Sequence, residues 1–237
     1  MHIFYIRNII ENLAILDETD SGHCARVLRM KAGAVVNLID GKGGFYEGMI
    51  QSVNPRAVTV EIIKTELNFG MKDYYLHLAI APTKNTDRFE WFIEKSAEIG
   101  IDEITPLLCQ RSERKYVRNE RLEKILISAI KQSINAYLPV LNPITGFDSF
   151  ISGNLKGNKY IALCSDENRK DLIKINNQKR LFTILIGPEG DFSPEEIKAA
   201  LKKGFEPVSF GSSRLRTETA GVAACQIISD WSKINIV

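Results

Sequence analysis

The pattern of apolar and polar positions changes once along this chain, near Tyr74. Before that point, short apolar runs at Ile3 to Ile6, Ala34 to Ile39, Gly48 to Val53 and Ala57 to Ile63 alternate with turn material such as Asp40-Gly41-Lys42-Gly43-Gly44 and Asn54-Pro55. Runs of this length bounded by glycine, proline, Asn and Asp predict short strands joined by tight turns. One helix interrupts them, with Asp20 placed to cap a segment that carries His23, Val27 and Leu28 and ends near Met30. Residues 1–71 are expected to form a small β-barrel domain.

From Tyr74 the strand-like runs alternate with helical ones. YYLHLAI leads into DRFEWFIEKSAEIG, where Phe89, Phe92, Ile93 and Ile99 fall on one helical stripe and Gly100 is placed to end it. EITPLLC precedes a helix expected over Arg118 to Ala136, and KYIALCS, LFTILIG and EPVSF supply three further strands. Helices are expected at Pro194 to Lys203, closed by Gly204, and at Thr217 to Ile234, with Asn142 to Asn158 as a connecting region. The alternation predicts an α/β domain over 72–237 with a mainly parallel sheet. Such sheets bind ligands beyond the carboxyl ends of their strands.

Three strand ends carry unusual material. LIGPEGDFSPEEI joins the apolar run Leu181 to Ile186 to a glycine turn and a helix start, in which Ser193 is the N-cap, Pro194 the first helical residue and Glu196 the partner of a capping box. GSSRLRTETA follows EPVSF with a glycine, two serines and two arginines, and Cys164-Ser165-Asp166-Glu167 follows KYIAL. If their strands are neighbours, the three ends converge on one site. Each taken alone also admits a plain reading, glycines that turn the chain and hydroxyls that cap helices.

Composition narrows the chemistry. With 237 residues and 44% hydrophobic content the chain has material for a sizeable core, and its formal charge of +2 does not by itself announce a polyanion partner. Basic residues crowd Arg111 to Lys124, offset in part by Glu113, Glu120 and Glu123. Lys115, Arg118, Arg121 and Lys124 read as a solvated helix face. Neither GxGxxG nor GxxxxGK[ST] is present, which disfavours a dinucleotide fold or a phosphate loop, and no GxSxG elbow marks a hydrolase. The four cysteines lack CxxC spacing and the three histidines lack paired metal spacing, so they read as core thiols and structural side chains, with no metal expected. Polar residues break the N-terminal apolar stretch, so neither a signal peptide nor a membrane span is expected, and the location expected is the cytoplasm.

LIGPEGDFSPEEI and GSSRLRTETA, in that order, resemble the paired signatures of the RsmE family of SPOUT methyltransferases. HCARVLRMKAGAVVNLIDGKG resembles that family's N-terminal PUA-like domain, and KNTDRFEWFIEKSAEIGIDEITPLLCQRSERK its central segment. The resemblance implies a trefoil-knot C-terminal domain, a homodimer, and S-adenosylmethionine-dependent methylation of N3 of a uridine in small-subunit (16S) ribosomal RNA. A non-catalytic RNA-binding assembly factor on the same fold is the alternative. The cofactor is implied to lie against Leu163 at the first loop, Ile186, Gly187, Glu189 and Gly190 at the second, and Phe210, Gly211, Leu215, Arg216, Thr219 and Ala220 at the third. Arg216 is the candidate for electrostatic stabilisation, with Asp191, Glu189 and Glu218 as candidate bases. Arg26, Arg29 and Lys31 in the barrel and Lys84, Arg88, Lys95, Arg111 and Arg114 in the centre are candidates for RNA contact. Three positions depart from the family pattern. Asp191 stands where GPEGG has its last glycine; Ser213 occupies an arginine's place with Arg214 one residue later; and Gln132-Ser133-Ile134-Asn135 replaces QSGR.

Overall fold

The computed structural model describes residues 2–164, 169–175 and 180–234. The chain falls into two compact units, Met1–Met71 with Ile127–Leu138, and Lys72–Leu126 with Pro139–Val237.

Six strands build the first unit: β1 (Ile3–Tyr5), β2 (Ile9–Ile10), β3 (Leu13–Ile15), β4 (Val35–Ile39), β5 (Phe45–Ser52) and β6 (Thr59–Glu66). They form one sheet in the order β1-β4-β5-β6-β3-β2, antiparallel except for the β1–β4 pair. Phe4 and Ile6 from one edge share a core with Ala14 and Leu16 from the opposite side and with Val36, Leu38, Ile50 and Val60 between them. A sheet whose two sides meet in one core is rolled around its apolar face, as the alternating pattern demands. The β2–β3 hairpin is not signalled by the sequence, because Glu11 and Asn12 (φ 57° and 154°) make its turn without glycine.

The helix begins earlier than expected. Asp17, not Asp20, is the N-cap of α1 (Glu18–Gly22), accepting from the Asp20 amide at 2.7 Å, and His23–Val27 continues as a π-helical turn. Asp20 is buried and bonded at 2.6 Å to Lys131. Two aspartates three residues apart are equally good caps in sequence, and tertiary burial decides between them.

The second unit holds β7 (Tyr75–Ile80), β8 (Glu103–Leu108), β9 (Val140–Leu141), β10 (Thr145–Gly146), β11 (Asn158–Ala162), β12 (Lys170–Asp171), β13 (Leu181–Ile186) and β14 (Glu206–Ser209). Their order is β10-β8-β7-β13-β11-β14-β12 with β9 beside β8, and every described ladder is parallel. The helices are α2 (Thr86–Ile99), α3 (Asn119–Ser133, continuing into the first unit), α4 (Phe147–Ile151), α5 (Pro194–Lys202) and α6 (Thr217–Ile234). Ala79, Leu107, Ile161 and Leu185, from four strands, face Phe147, Phe150 and Ala200 of α4 and α5. On α6, a Cβ at Gly221 would stand 2.5 Å from the Phe92 ring and 2.9 Å from Ile80, so the glycine is what lets α2, α6 and β7 meet. With helices against it, the sheet reads as near-continuous apolar runs.

Asn142 to Asn158 is more than the expected connection, since β10 and α4 lie in it and Phe147, Phe150 and Ile151 are buried. A five-residue helix is too short to display a 3.6-residue period. His77 is the satisfied structural histidine expected, its Nε2 2.8 Å from the Thr105 hydroxyl inside the sheet.

Candidate functional site

The three unusual strand ends belong to β11, β13 and β14, which lie side by side in the order β13-β11-β14. Because the strands are parallel, their carboxyl ends share one edge. There the loops enclose a cavity of about 480 Å³. Ala162, Leu163, Ile186, Val208, Leu215 and Ala220 supply apolar walls, while Glu189, Asp191, Ser212, Ser213, Arg214 and Arg216 supply polar groups. An apolar pocket with a few placed polar groups suits a small organic ligand that is part ring, part charge.

Local chemistry fixes each loop. In the second, the Asp191 amide donates to the Pro188 carbonyl at 2.9 Å, closing a tight turn, and the Asp191 carboxylate accepts from the Phe192 amide at 2.8 Å. Asp191 has φ 62°, a left-handed conformation that favours glycine and tolerates Asp. The turn then enters α5 through the expected capping box, with the Ser193 side chain accepting from the Glu196 amide at 3.2 Å and Glu196 accepting from the Ser193 amide at 2.8 Å. Gly187 is buried; a Cβ there would lie 3.1 Å from the ring of Phe192, itself buried against Phe147. The third loop is tied to the second by the Thr217 hydroxyl, which donates to the Gly187 carbonyl at 3.0 Å. In the first, Arg169 Nη1 donates to the carbonyls of Leu163 (3.1 Å) and Cys164. Ser165, Asp166 and Glu167 lie outside the described residues.

Nine of the residues implied to hold the cofactor line the cavity: Leu163, Ile186, Gly187, Glu189, Phe210, Gly211, Leu215, Arg216 and Ala220. Gly190 and Thr219 are not among the lining residues. Gly190 faces Arg111, whose Nη1 donates to its carbonyl at 2.8 Å, and Thr219 is exposed on α6 while Thr217 and Ala220 line the cavity. Of the catalytic candidates, Arg216 and Asp191 line the cavity and Glu218 does not. Glu218 is buried, its Oε1 3.8 Å from Nε of Arg88 and its buried Oε2 without a hydrogen-bond partner. Cys164, Arg169, Val208, Ser209 and Arg214 line it as well. Arg169 gave no signal in the sequence, because the residues around it carry neither a motif nor a period. Cys164 is exposed at the cavity, not a core thiol like the other three cysteines.

The basic candidates differ in what holds them. Arg26, Arg29 and Lys31 are exposed on the first unit. In the second, Lys84 pairs with Glu113 at 2.8 Å and Lys95 is shared between Glu94 (2.7 Å) and Glu98 (2.8 Å). Arg111 and Arg114 spend their N–H groups on backbone carbonyls, of Gly190 and Phe192 and of Thr83 and Lys84 respectively. Among the described residues no group of three or more His, Cys, Asp or Glu is placed to hold a metal, and no helix is long and apolar enough to cross a membrane.

A family model described as an RNA methyltransferase domain matches residues 71–229, and one described as an RNA methyltransferase PUA domain matches 16–63. The ribosomal RNA small subunit methyltransferase E of Synechocystis sp. is 30% identical over 223 residues, covering 91% of this chain and 72% of the relative. That of Mesomycoplasma hyopneumoniae is 30% identical over 228 residues, covering 94% and 96%. Among solved structures, a probable rRNA-methyltransferase from Porphyromonas gingivalis superposes with a TM-score of 0.90 at 37% identity over 100% of both chains. The ribosomal RNA small subunit methyltransferase E of Neisseria gonorrhoeae, bound to S-adenosyl methionine, gives 0.87 at 25% identity over 97% of both.

Proposed function

The chain belongs to the ribosomal RNA small subunit methyltransferase E family of RNA methyltransferases, and from that premise we propose that it methylates N3 of a uridine in small-subunit ribosomal RNA with S-adenosylmethionine as donor. The observation that carries the reading is the three-loop cavity at the carboxyl ends of β13, β11 and β14. Its apolar walls at Leu163, Ile186 and Leu215 fit an adenine ring, backbone groups of the loops fit the ring's polar edge, and the charged groups fit the amino-acid end of the donor. We assign residues 1–71 to a PUA-like RNA-binding domain and 72–237 to a SPOUT domain with a trefoil crossing of these loops, acting as a cytoplasmic homodimer.

When bound, S-adenosylmethionine supplies an electrophilic methyl group on a leaving group that departs neutral, so no acid is needed to expel it. The protein's task is on the uridine, whose N3 carries a proton and is a poor nucleophile until it is lost. Asp191, at the cavity wall, is the candidate to accept that proton, a role typically contributing about a hundred- to ten-thousand-fold. Arg216, exposed at the same wall, is the candidate to stabilise the negative charge left on the base. Incubation of undermethylated small subunits with the protein and labelled donor, followed by nucleoside mapping, is expected to yield 3-methyluridine. A different modified nucleoside, or none, overturns the proposal.

A further inference from the structure

We propose that Arg88 and Glu218 act as one unit in the reaction, Glu218 as a positioning residue that orients Arg88, and Arg88 as a catalytic residue that donates N–H groups to a carbonyl oxygen of the target uracil. The inference rests on the uridine-N3 reading above and adds a residue pair outside the cavity wall.

Glu218 is 7% exposed, and its Oε2 is buried with no hydrogen-bond partner. Its position in the first turn of α6 favours a carboxylate there, but a helix dipole does not replace a missing donor. Leaving a buried acceptor unmade is costly, more so when it is charged, so this carboxylate calls for a donor close by. The nearest cation is Arg88 of α2, whose Nε stands 3.8 Å from Oε1 and whose side chain is 43% exposed. That distance is an ion pair but not a hydrogen bond. A guanidinium is a planar fork of five N–H groups. One edge of such a fork can take both oxygens of a carboxylate and still leave N–H groups on its other edge to donate elsewhere.

The pair spans α2 and α6 and is tied to the cavity through its chain neighbours, with Thr217 and Ala220 on either side of Glu218 lining it. Thr217, next to Glu218, is bonded to Gly187; the Lys84 amide, four residues before Arg88, is bonded to Glu189 at 3.0 Å; and Gly187 and Glu189 both line the cavity. Its chemistry also selects its target. An arginine neutralised by a buried carboxylate brings little net charge to a phosphate, but it brings donors of fixed direction. Such donors suit a neutral carbonyl that gains negative charge as the N3–H bond breaks and its electron pair spreads over the ring oxygens.

The test is steady-state methylation of RNA by wild type, Arg88→Ala, Arg88→Lys, Glu218→Gln and the Arg88→Ala/Glu218→Gln double variant, with donor affinity by calorimetry. Neither residue lines the cavity, so donor affinity is expected to hold within about twofold, which also shows that each variant is folded. Arg88→Ala is expected to lower kcat by roughly a hundredfold or more with KM for RNA little changed. Lysine should not restore it, and Glu218→Gln should lower kcat alone but add nothing in the Arg88→Ala background. An RNA with 5-fluorouridine at the target, whose N3 is more acidic, should recover part of the loss. Unchanged kcat in Arg88→Ala, a change in KM alone, additive losses in the double variant, or no recovery with the fluorinated RNA overturns the pair's role. If wild type makes no 3-methyluridine, the underlying reading falls and this inference with it.

Discussion

At the scale of single residues, the site turns on positions where a side chain's presence or absence shapes the second loop. Asp191 takes φ 62°, a left-handed backbone that favours glycine, and the bond its carboxylate accepts from the Phe192 amide explains how an aspartate is tolerated there. The two glycines before it are not equivalent. Gly187 and Gly190 both belong to the glycine turn of the sequence, yet a Cβ at Gly187 would sit 3.1–3.2 Å from Phe192, whereas one at Gly190 would meet Arg111 at an ordinary 3.6 Å. Gly187→Ala must displace a buried phenylalanine beside the cavity, an overpacking effect of about 1–3 kcal/mol. It is expected to weaken S-adenosylmethionine binding by roughly tenfold or more, while Gly190→Ala stays within about twofold of wild type. Isothermal titration of both variants checks this, and equal losses would mean that the turn as a whole, not Gly187, faces the ligand. No reading of the motif separates the two, because the difference lies in Phe192, which the fold swings back over the turn.

Among elements, those with a clear period or a chemical punctuation mark were legible. The stripe of Phe89, Phe92 and Ile93 marked α2 and Gly100 (φ 106°) ended it; the capping box at Ser193 and Glu196 marked the start of α5. Elements whose reason is tertiary were not, and β2, β3 and α4 are of that kind: two, three and five residues long, held by their partners. The same holds for the polar cluster between β7 and β8. His77 is fixed by Thr105, while Glu103 accepts from Tyr75 and from Asn142 (2.5 Å), and Asn142 also reaches Thr105 (2.8 Å). Burial pushes His77 below its ordinary 6.5, with Glu103 pulling it partly back. Burial raises Glu103, but hydrogen bonds from Tyr75 and Asn142 together with the nearby His77 and Lys156 outweigh it and leave the carboxyl below its ordinary 4.5. For both groups the unfolded chain binds more protons in the window beneath the ordinary value, so both make stability fall as pH falls, His77 from below 6.5 and Glu103 from below 4.5. Urea midpoints are therefore expected to drop between neutral pH and about pH 5.5 through His77, and His77→Gln should flatten that step. A step unchanged in the variant would place its origin elsewhere.

On the scale of the whole molecule, the change of rhythm near Tyr74 announced two kinds of architecture, but nothing local announced that Ile127–Leu138 would join the first unit. Lys131 and Asp20, 111 positions apart, meet at 2.6 Å, and only the finished fold makes them neighbours. Charge follows the same logic. A net +2 hides which cations remain available to an RNA. Lys95 is held between Glu94 and Glu98, and Arg111 and Arg114 brace loop carbonyls, whereas Arg26, Arg29 and Lys31 are exposed on the first unit. Phosphate contacts release counterions, so each one adds about 0.7 to 0.9 to the slope of log affinity against log salt. If the first unit contributes to RNA binding as proposed, replacing Arg26, Arg29 and Lys31 together with alanine should lower affinity at low salt and flatten the slope by up to about 2–3. Lys95→Ala should leave both nearly unchanged, because its charge is already met within the protein. Fluorescence anisotropy through a salt titration distinguishes the outcomes. A flattened slope in Lys95→Ala with none in the triple variant would move the RNA path off the barrel and onto α2.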